Sequence, residues 1–515
     1  MNPFETKAGK GWKTVGVKHH HGIQVPLLSL RTRQSCGNGE ILDLIPLIDF
    51  LSEVGMDLLQ LLPLNDSGDD SSPYNALSST AIHPIYLSLH ALPYLSAPLP
   101  HFNIETKRLP YGDILRRKLD FLRRYLTEVG ARIRSEQRYR AFIEASAHLH
   151  DYALYKVLKQ KNKNQIWENW PKEFRQLSSH RRRLFRKTFE QDLSFHLTVQ
   201  YLSHLQLERV KKHAEKRGVF LKGDIPILVS PDSADVWTHQ QSFDLRLRVG
   251  SPPNPFDPQG QLWQFPLYKW SVMEENRFQW WRNRIEVAAK YFHLYRLDHI
   301  LGFFRLWTIP KGETADRGFF SPNDPAMMEV QGKKLLETLL SCSEMLPFGE
   351  DLGNPPPFVR TVMEGLGIPG TKIFRRYRNW NTDRSFIPYA DYPAVSICSV
   401  STHDMETVTL WWRRFPEEAK DYASFKGRRY EKELSRQQLK DILRDNHHSG
   451  SLFHINLFQE YLALVPELTW EDPEDEWINI PGTENRSNWT YRYRFPLETL
   501  VESKRLKEEI QAILA

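Results

Sequence analysis

The sequence predicts an α/β fold built on a (β/α)8 barrel (a TIM barrel), with inserted, largely helical subdomains and a long lid loop. Along the 515 residues, short buried strand-like runs alternate with amphipathic helical segments. This alternation is typical of parallel sheets whose strands are connected by helices. Several of the predicted strands are followed directly by acidic residues, at the position where barrel enzymes carry their catalytic groups.

The first strand–helix–strand unit spans residues 23–64. IQVPLLSL (23–30) predicts a short strand, and residues 40–54 carry Ile and Leu at helical spacing. Gly55 follows at the position where glycine commonly ends a helix. LLQLLPL (58–64) predicts a buried strand that leads into a long loop of turn-forming residues. This order of elements favours a parallel sheet.

Two later segments depart from the simple alternation. Residues 103–216 are rich in charge and carry apolar residues at helical spacing, which predicts a helical insertion. Residues 248–269 are rich in Pro and Gly and contain Trp263, which predicts a lid loop rather than a disordered segment. We expect residues 1–22 to form an N-terminal tail and residues 23–515 to form a single catalytic domain.

Composition excludes several protein classes. A hydrophobic fraction of 40% indicates a folded protein, and the sequence contains neither a long uncharged apolar run nor a secretory signal. Cys36, Cys342 and Cys398 are scattered and lack CxxC spacing. This pattern fits a reducing cytoplasm and predicts neither a disulfide framework nor a zinc site.

Basic clusters leave a nucleic-acid-binding role as a weak alternative. Residues 116–124 and 180–187 are rich in Arg and Lys, although the net charge of +6 is small for this length. No nucleic-acid motif accompanies them, so we interpret them as solvated helix surfaces and expect no nucleic-acid partner. We interpret the run His19–His21 as part of the tail, with at most adventitious metal binding.

Three carboxylates, Asp298, Glu350 and Asp404, each lie just past a predicted strand. A single one of them would more often be a structural ion pair, but consecutive barrel strands would bring all three to one mouth. Two carboxylates there suit acetal cleavage, in which one attacks or stabilises the anomeric carbon and the other protonates the leaving oxygen. The pattern therefore predicts a glycoside-processing site, and this chemistry requires neither a metal nor an organic cofactor.

Neighbouring residues support this assignment. Arg296 would keep Asp298 ionised, as a nucleophile requires, and the apolar residues before Glu350 would raise its pKa, as a general acid requires. His299 and His403 are placed to hydrogen-bond sugar hydroxyls.

These residues lie in motifs that resemble those of a known family. LYRLDHILGF, PFGEDLG and STHDMET resemble the three catalytic motifs of the 4-α-glucanotransferases, glycoside hydrolase family 77. LLQLLPLNDSGDDSSPYNALS, KGDIPILVSPDSADVW, GSPPNPFDPQGQLWQFPLYKW and PGTENRSNW resemble the family's loop motifs in the same order. The resemblance is greatest to the branch of the plant cytosolic disproportionating enzyme, without that enzyme's N-terminal starch-binding modules.

The resemblance implies a role for each matching residue. Asp298 would be the nucleophile, Glu350 the general acid/base and Asp404 the stabiliser of the transition state. Substrate-binding roles fall on Arg296, His299, His403, Tyr74, Trp263 and Asp224. The implied activity is retaining transfer of glucosyl or maltooligosyl units from α-1,4-glucan donors to glucose, oligosaccharide or polymer acceptors. A retaining α-glucan hydrolase and a catalytically silent glucan-binding protein remain the alternatives.

Three departures from the family pattern concern the acceptor. Leu301 replaces an arginine that many relatives carry, and Met405 and Glu406 follow Asp404 where many members have Asn and Asp. The lid reads PPNPFD where many members have PPDYF. We expect these changes to alter acceptor preference and to leave the three carboxylates unaffected.

Overall fold

The computed structural model describes residues 2–100, 102, 105–253, 257–353, 355–380 and 382–515. The strands in these residues are β1 (His20–Val25), β2 (Leu58–Leu61), β3 (Phe220–Ile225), β4 (Phe243–Ser251), β5 (Gln261–Tyr268), β6 (Leu294–Leu297), β7 (Leu306–Pro310), β8 (Phe319–Ser321), β9 (Leu346–Gly349), β10 (Gly370–Ile373), β11 (Ser396–Ser399) and β12 (Phe453–Leu457).

The helices of the same residues connect and surround these strands. They are α1 (Gly9–Val15), α2 (Leu44–Val54), α3 (Tyr111–Ser135), α4 (Gln137–Glu144), α5 (Ala147–Lys161), α6 (Lys172–Arg175), α7 (Ser179–Thr188), α8 (Glu190–Arg217), α9 (Ala234–Thr238), α10 (Trp270–Glu275), α11 (Gln279–Ala289), α12 (Pro325–Leu340), α13 (Pro357–Leu366), α14 (Val408–Arg414), α15 (Pro416–Phe425), α16 (Arg436–His447), α17 (Phe458–Leu462), α18 (Leu497–Val501) and α19 (Lys504–Leu514). In the described part of the chain, no helix is both long enough and apolar enough to span a bilayer.

Eight of the described strands close into a parallel barrel, which confirms the predicted fold class. The order around the barrel is β1, β2, β3, β6, β9, β10, β11 and β12, and β12 pairs with β1. Neighbours in space are therefore neighbours in the chain order of the barrel strands. The register pairs Asp224 with Arg296 and Leu297 with Gly349, so the carboxyl ends of β3, β6 and β9 lie side by side.

The expected tail at 1–22 is partly wrong, because its last three residues belong to the first barrel strand and Gly9–Val15 forms a helix that packs on the barrel. His20–Val25 is the first barrel strand, and the short helix α1 packs across the end at which the strands begin. Trp12 of this helix is fully buried against Leu58 and Leu294, the first residues of β2 and β6. The sequence before residue 23 is mostly polar and contains only one large apolar residue per helical turn. Its pattern therefore does not predict a buried helix surface.

The prediction of a lid loop at 248–269 is also wrong, since most of this segment forms a β-hairpin. Strands β4 and β5 pair antiparallel and join β7 and β8 in a second, four-stranded sheet. Pro266 lies opposite Arg248 at an irregularity in the register, where a proline costs no ladder hydrogen bond. The connection between the two strands is residues 252–260, of which 254–256 lie outside the described residues.

Helices fill the segment between β2 and β3, where a helical insertion at 103–216 is predicted. The longest of them, Glu190–Arg217, ends at Gly218, whose positive φ of 69° lies in the left-handed region that glycine adopts without strain. Its neighbours include α2, α3 and α5. The basic cluster on α7 is partly neutralised, because Arg182 and Arg186 both contact the Asp151 carboxylate at 2.9 and 2.7 Å.

Candidate active site

The predicted carboxylates converge at the carboxyl ends of the barrel strands. Asp298 directly follows β6, and Glu350 directly follows β9. The two loops are joined by backbone hydrogen bonds, from the Glu350 amide to the Leu297 carbonyl at 3.0 Å and from the Ile300 amide to the Glu350 carbonyl at 3.2 Å. Asp404 lies in the loop between β11 and α14. The parallel register thus brings together residues that are far apart in the sequence.

Arg296 links Asp298 to a fourth carboxylate, Asp224. Its Nη1 lies 2.8 Å from Asp298 Oδ1 and 3.0 Å from each oxygen of Asp224. Asp224 is buried, whereas the Asp298 side chain keeps a quarter of its surface exposed. Arg296 therefore holds Asp298 while part of that carboxylate remains open to the cleft.

The pKa of Asp298 differs from the sequence expectation. Burial raises it from 3.8 to about 6, and the carboxylates of Asp224 and Glu350 add to this effect, although Arg296 acts in the opposite direction. The predicted contact with Arg296 is thus present, but it only partly offsets burial. At neutral pH the carboxylate is mostly ionised and poorly solvated, which favours nucleophilic attack.

Glu350 has the environment of a general acid. Its Oε2 accepts a hydrogen bond from the His299 amide at 2.9 Å, and its Oε1 accepts one from the Leu352 amide at 3.1 Å. Burial raises its pKa above 4.5, as predicted, although Arg296 and these two amides act to lower it. The side chain is therefore fixed in position and biased toward its protonated form.

Asp404 is held as a carboxylate by polar neighbours. His403 Nε2 lies 3.1 Å from its Oδ2, and Asn479 Nδ2 donates to its Oδ1 at 2.7 Å. Burial acts to raise the Asp404 pKa, but His403, Asn479 and Arg296 outweigh it and lower that pKa to about 2. Gln24 Nε2 lies 2.8 Å from His403 Nδ1 and so orients the ring.

Tyr74 joins the two sides of the site. Its hydroxyl donates to Asp224 Oδ2 at 2.8 Å and lies 2.9 Å from His403 Nε2. The ring stacks on His403 with centroids 5.5 Å apart and contacts Trp489 at 5.3 Å. His403 is buried, whereas the rings of Tyr74 and Trp489 are partly exposed, so these two aromatic side chains offer apolar surface against which a sugar ring can pack.

Trp263 and His299 lie together at the second sheet. Their ring centroids are 5.3 Å apart in an edge-to-face arrangement, and Trp263 Nε1 donates to Gln261 Oε1 at 2.9 Å. His299 has a positive φ of 46°, a strained conformation for a side chain of this size. That backbone conformation presents its amide to Glu350, so the strain coincides with a contact to the predicted acid.

The contacts described above join the nine predicted site residues into two groups at neighbouring strand ends. One group contains Asp298, Arg296, Asp224, Tyr74, His403 and Asp404, and the other contains Glu350, His299 and Trp263. Sequence reasoning missed Gln24 and Asn479, which contact His403 and Asp404. Trp489 belongs to the motif PGTENRSNW, but that motif does not predict its proximity to Tyr74. Gln24 and Asn479 lie outside this motif and are ordinary polar residues, so no sequence signal marks their contacts.

Comparisons with known proteins identify the family of the chain. The family profile of 4-alpha-glucanotransferase, glycoside hydrolase family 77, matches residues 25–498. A 4-alpha-glucanotransferase of Chlamydia caviae is 40% identical over 522 residues, covering 97% of each chain. The rice 4-alpha-glucanotransferase DPE2 (Oryza sativa subsp. japonica) is 25% identical over 658 residues, covering 96% of this chain and 69% of the relative. Of these two relatives, the plant enzyme is thus more distant from this chain than the chlamydial enzyme.

The fold agrees with a solved structure as well. An amylomaltase from Streptococcus agalactiae in complex with acarbose has a TM-score of 0.80 at 23% identity, covering 96% of this chain and 98% of that chain. The family profile and the chlamydial relative each span nearly the whole chain. The chain therefore belongs to glycoside hydrolase family 77, the 4-alpha-glucanotransferases.

Proposed function

We propose that the protein transfers glucosyl or maltooligosyl units between α-1,4-glucans with retention of configuration, through a covalent glycosyl-enzyme on Asp298. The observation that carries this proposal is the contact of Arg296 with Asp298 on one strand, beside Glu350 at the end of the next strand. Two carboxylates in neighbouring positions, one ionised and one biased toward protonation, suit double displacement.

In the first step, an Asp298 oxygen attacks the anomeric carbon while Glu350 gives its proton to the leaving glycosidic oxygen. The shortened glucan leaves with that proton, and the donor unit remains bound as an ester of Asp298. In the second step, Glu350 takes the proton of the acceptor's 4-hydroxyl, whose oxygen attacks the same carbon and releases Asp298. Two inversions give net retention, and the geometry expected for such a pair is a carboxyl separation of about 5–5.5 Å.

Asp404 has a different role in this scheme. Its low pKa keeps it anionic throughout the cycle, so it is suited to accept hydrogen bonds from ring hydroxyls that strengthen as the sugar distorts. His299 and His403 contribute further sugar contacts, and Tyr74 supplies a stacking surface. Asp224 acts through Arg296, because both of its oxygens contact the same Nη1 that holds Asp298.

Transfer, rather than hydrolysis, requires that a sugar hydroxyl compete with water. Trp263 belongs to the antiparallel sheet and contacts His299 beside the nucleophile. An aromatic side chain there favours a bound acceptor by positioning it and by displacing water. Glu406 forms an ion pair with the buried Arg375 at 3.5 Å, so this departure from the family pattern is engaged in a protein contact.

Incubation with maltotriose tests the proposal. Transfer yields glucose together with oligosaccharides longer than the substrate, whereas a hydrolase yields only shorter products. Asp298→Asn should reduce turnover by about three orders of magnitude or more while the variant remains folded. Asp316→Asn, at an exposed aspartate, is the matched control. Glucan binding without turnover in the wild type would instead support a silent binding protein.

The acceptor is tested separately, with maltose as the donor. Reactions with and without glycogen would show whether a polymer acceptor increases the release of glucose. An increase assigns the acceptor as a polymer, and equal rates assign it as a short sugar.

A cytoplasmic location is also part of the proposal. It is supported by three thiols that form no disulfide in the described structure, two of which, Cys36 and Cys398, are buried. Thiol titration of the protein from untreated cell extract should recover all three cysteines in the reduced form.

A further inference from the structure

We propose that His21, His447 and His454 form a binding site for a divalent transition-metal ion of the zinc class, at the end of the barrel opposite the carboxylates. His21 is the second residue of β1, His454 is the second residue of β12, and the two are partners in the register. His447 is the last residue of α16. The site therefore lies where the strands begin.

The three rings place their nitrogens close together. One ligand nitrogen from each ring lies within 4.8 Å of the other two. Nδ1 of His21 and Nδ1 of His447 lie 2.8 Å apart, at hydrogen-bond distance, and an ion bound there would replace this hydrogen bond. Ligand nitrogens at about 2.0–2.1 Å from tetrahedral zinc lie roughly 3.3 Å apart. Binding thus requires that this pair separate by about half an ångström and that His454 move inward by up to about 1.5 Å.

Hydrogen bonds already orient two of the rings. His447 Nε2 lies 2.6 Å from the hydroxyl of Tyr461, which also accepts a hydrogen bond from Asn456 Nδ2 at 3.0 Å. His454 Nε2 lies 3.1 Å from Ser449 Oγ. Oxygen partners of this kind fix the tautomer of metal-bound histidines and leave the other nitrogen free to bind the ion.

The remaining nitrogen of His454 has no such partner. His454 is fully buried, and its Nδ1 forms no hydrogen bond within the described residues. A buried polar atom without a partner is costly, and a metal ion would supply the missing interaction. This atom distinguishes the cluster from an ordinary network of hydrogen-bonded histidines.

The three rings supply nitrogen ligands of the kind that zinc prefers. Three imidazoles and one water would complete a four-coordinate site, and partly exposed His21 marks the side that water reaches.

A nearby carboxylate contributes the opposite charge. Asp57 Oδ1 accepts a hydrogen bond from the His21 amide at 3.2 Å, while its Oδ2 contacts His20 at 2.8 Å and Lys18 at 3.2 Å. Two exposed histidines, His19 and His448, flank the cluster. They are the alternative ligands that an experiment must separate from the buried ones.

Zinc binding by the untagged wild-type protein tests the proposal. After dialysis against a chelator, titration with Zn²⁺ should give one ion per chain and raise the Tm, because the ion binds the folded state. X-ray absorption of the zinc-loaded protein should show imidazole nitrogens at about 2.0 Å. Absence of a stoichiometric site, or a spectrum without imidazole ligands, would overturn the proposal without requiring any variant.

Substitutions identify the ligands. His447→Gln and His454→Gln should each weaken zinc binding by at least about 100-fold. His19→Ala and His448→Ala should bind zinc as the wild type does. If binding is instead lost in these two, the ion is held adventitiously by surface histidines and the proposal is wrong. Glucan transfer should be unchanged by chelation, so a failed transfer assay and a failed metal assay remain distinguishable.

Discussion

At the scale of single residues, Arg296 positions the candidate nucleophile. Its Nη1 contacts Asp224 and Asp298 together, so the nucleophile is oriented by a group that a second, buried carboxylate holds in place. The Asp298 pKa is nevertheless raised, because burial outweighs this one cation. Position and reactivity thus have different causes: the arginine sets where the carboxylate lies, and burial sets how readily it takes a proton.

Arg296→Lys tests the positioning role. A lysine keeps the charge, but its ammonium lies on a flexible stem and does not reproduce the position of the guanidinium Nη1, which contacts both carboxylates, so Asp298 should lose its fixed orientation. We expect kcat to fall by about 100-fold with a smaller change in KM. Steady-state kinetics on maltotriose provide the measurement, and Arg317→Lys at an exposed arginine is the control. A wild-type kcat would show that charge alone suffices.

Asp298→Asn should also change the pH dependence of stability. The folded-state pKa of Asp298 is raised from 3.8 to about 6, so the folded protein binds this proton more tightly than the unfolded chain does. Ionisation therefore destabilises the fold fully above about pH 6 and not at all below about pH 3.8. Because asparagine does not ionise, the Tm advantage of the variant should grow between pH 4 and pH 7. A constant difference would contradict the raised pKa.

The pH–rate profile reports on the same carboxyl groups. Asp298 must be ionised and Glu350 protonated in the active form, so kcat/KM should fall as the pH drops through about 6. The fall at high pH belongs to Glu350, whose pKa is also raised. These limbs are properties of the interacting pair rather than of either residue alone. A rate that stays flat from pH 4 to 7 would exclude Asp298 as the ionised nucleophile.

At the scale of elements, α1 closes the end of the barrel at which the strands begin. Trp12 is fully buried, and its Nε1 donates to the Gly367 carbonyl at 2.8 Å. A Cβ on Gly11 would lie 2.9 Å from the backbone of Leu346, so this close approach requires glycine. A segment with the composition of a tail therefore forms part of the hydrophobic core.

Trp12→Ala tests the contribution of this helix. Loss of a fully buried indole should lower the free energy of unfolding by about 3–5 kcal/mol, measured by urea denaturation. KM should remain unchanged, because the helix lies at the opposite end from the carboxylates. Trp380→Ala, at an indole that is 45% exposed, should change stability far less. Equal effects of the two substitutions would mean that α1 does not stabilise the barrel.

At the scale of the whole molecule, the two ends of the barrel carry different sites, separated by the length of the strands. The carboxyl ends of the strands carry the candidate active site, whereas the other end carries α1 and the histidine cluster. A second, antiparallel sheet brings Trp263 to the first of these ends. The contribution of α1 to stability and the sugar chemistry thus depend on opposite ends of the same barrel.

The sequence by itself determined the barrel, the three carboxylates and the family, because these depend on local patterns and on contiguous motifs. Strand runs such as LLQLLPL carry their own signal, and Asp298, Glu350 and Asp404 each stand next to one. Gly55 marked a helix end that the structure confirms, with a φ of 86°.

Only the tertiary structure decided the pairings between distant segments. Asn479 meets Asp404 across 75 positions, and His21 meets His447 across 426. The Pro-rich segment became a hairpin because other strands offered it a sheet edge, and the Asp298 pKa rose because packing removed water from it. Such contacts and solvent exclusion depend on residues remote in the chain, so no local pattern encodes them.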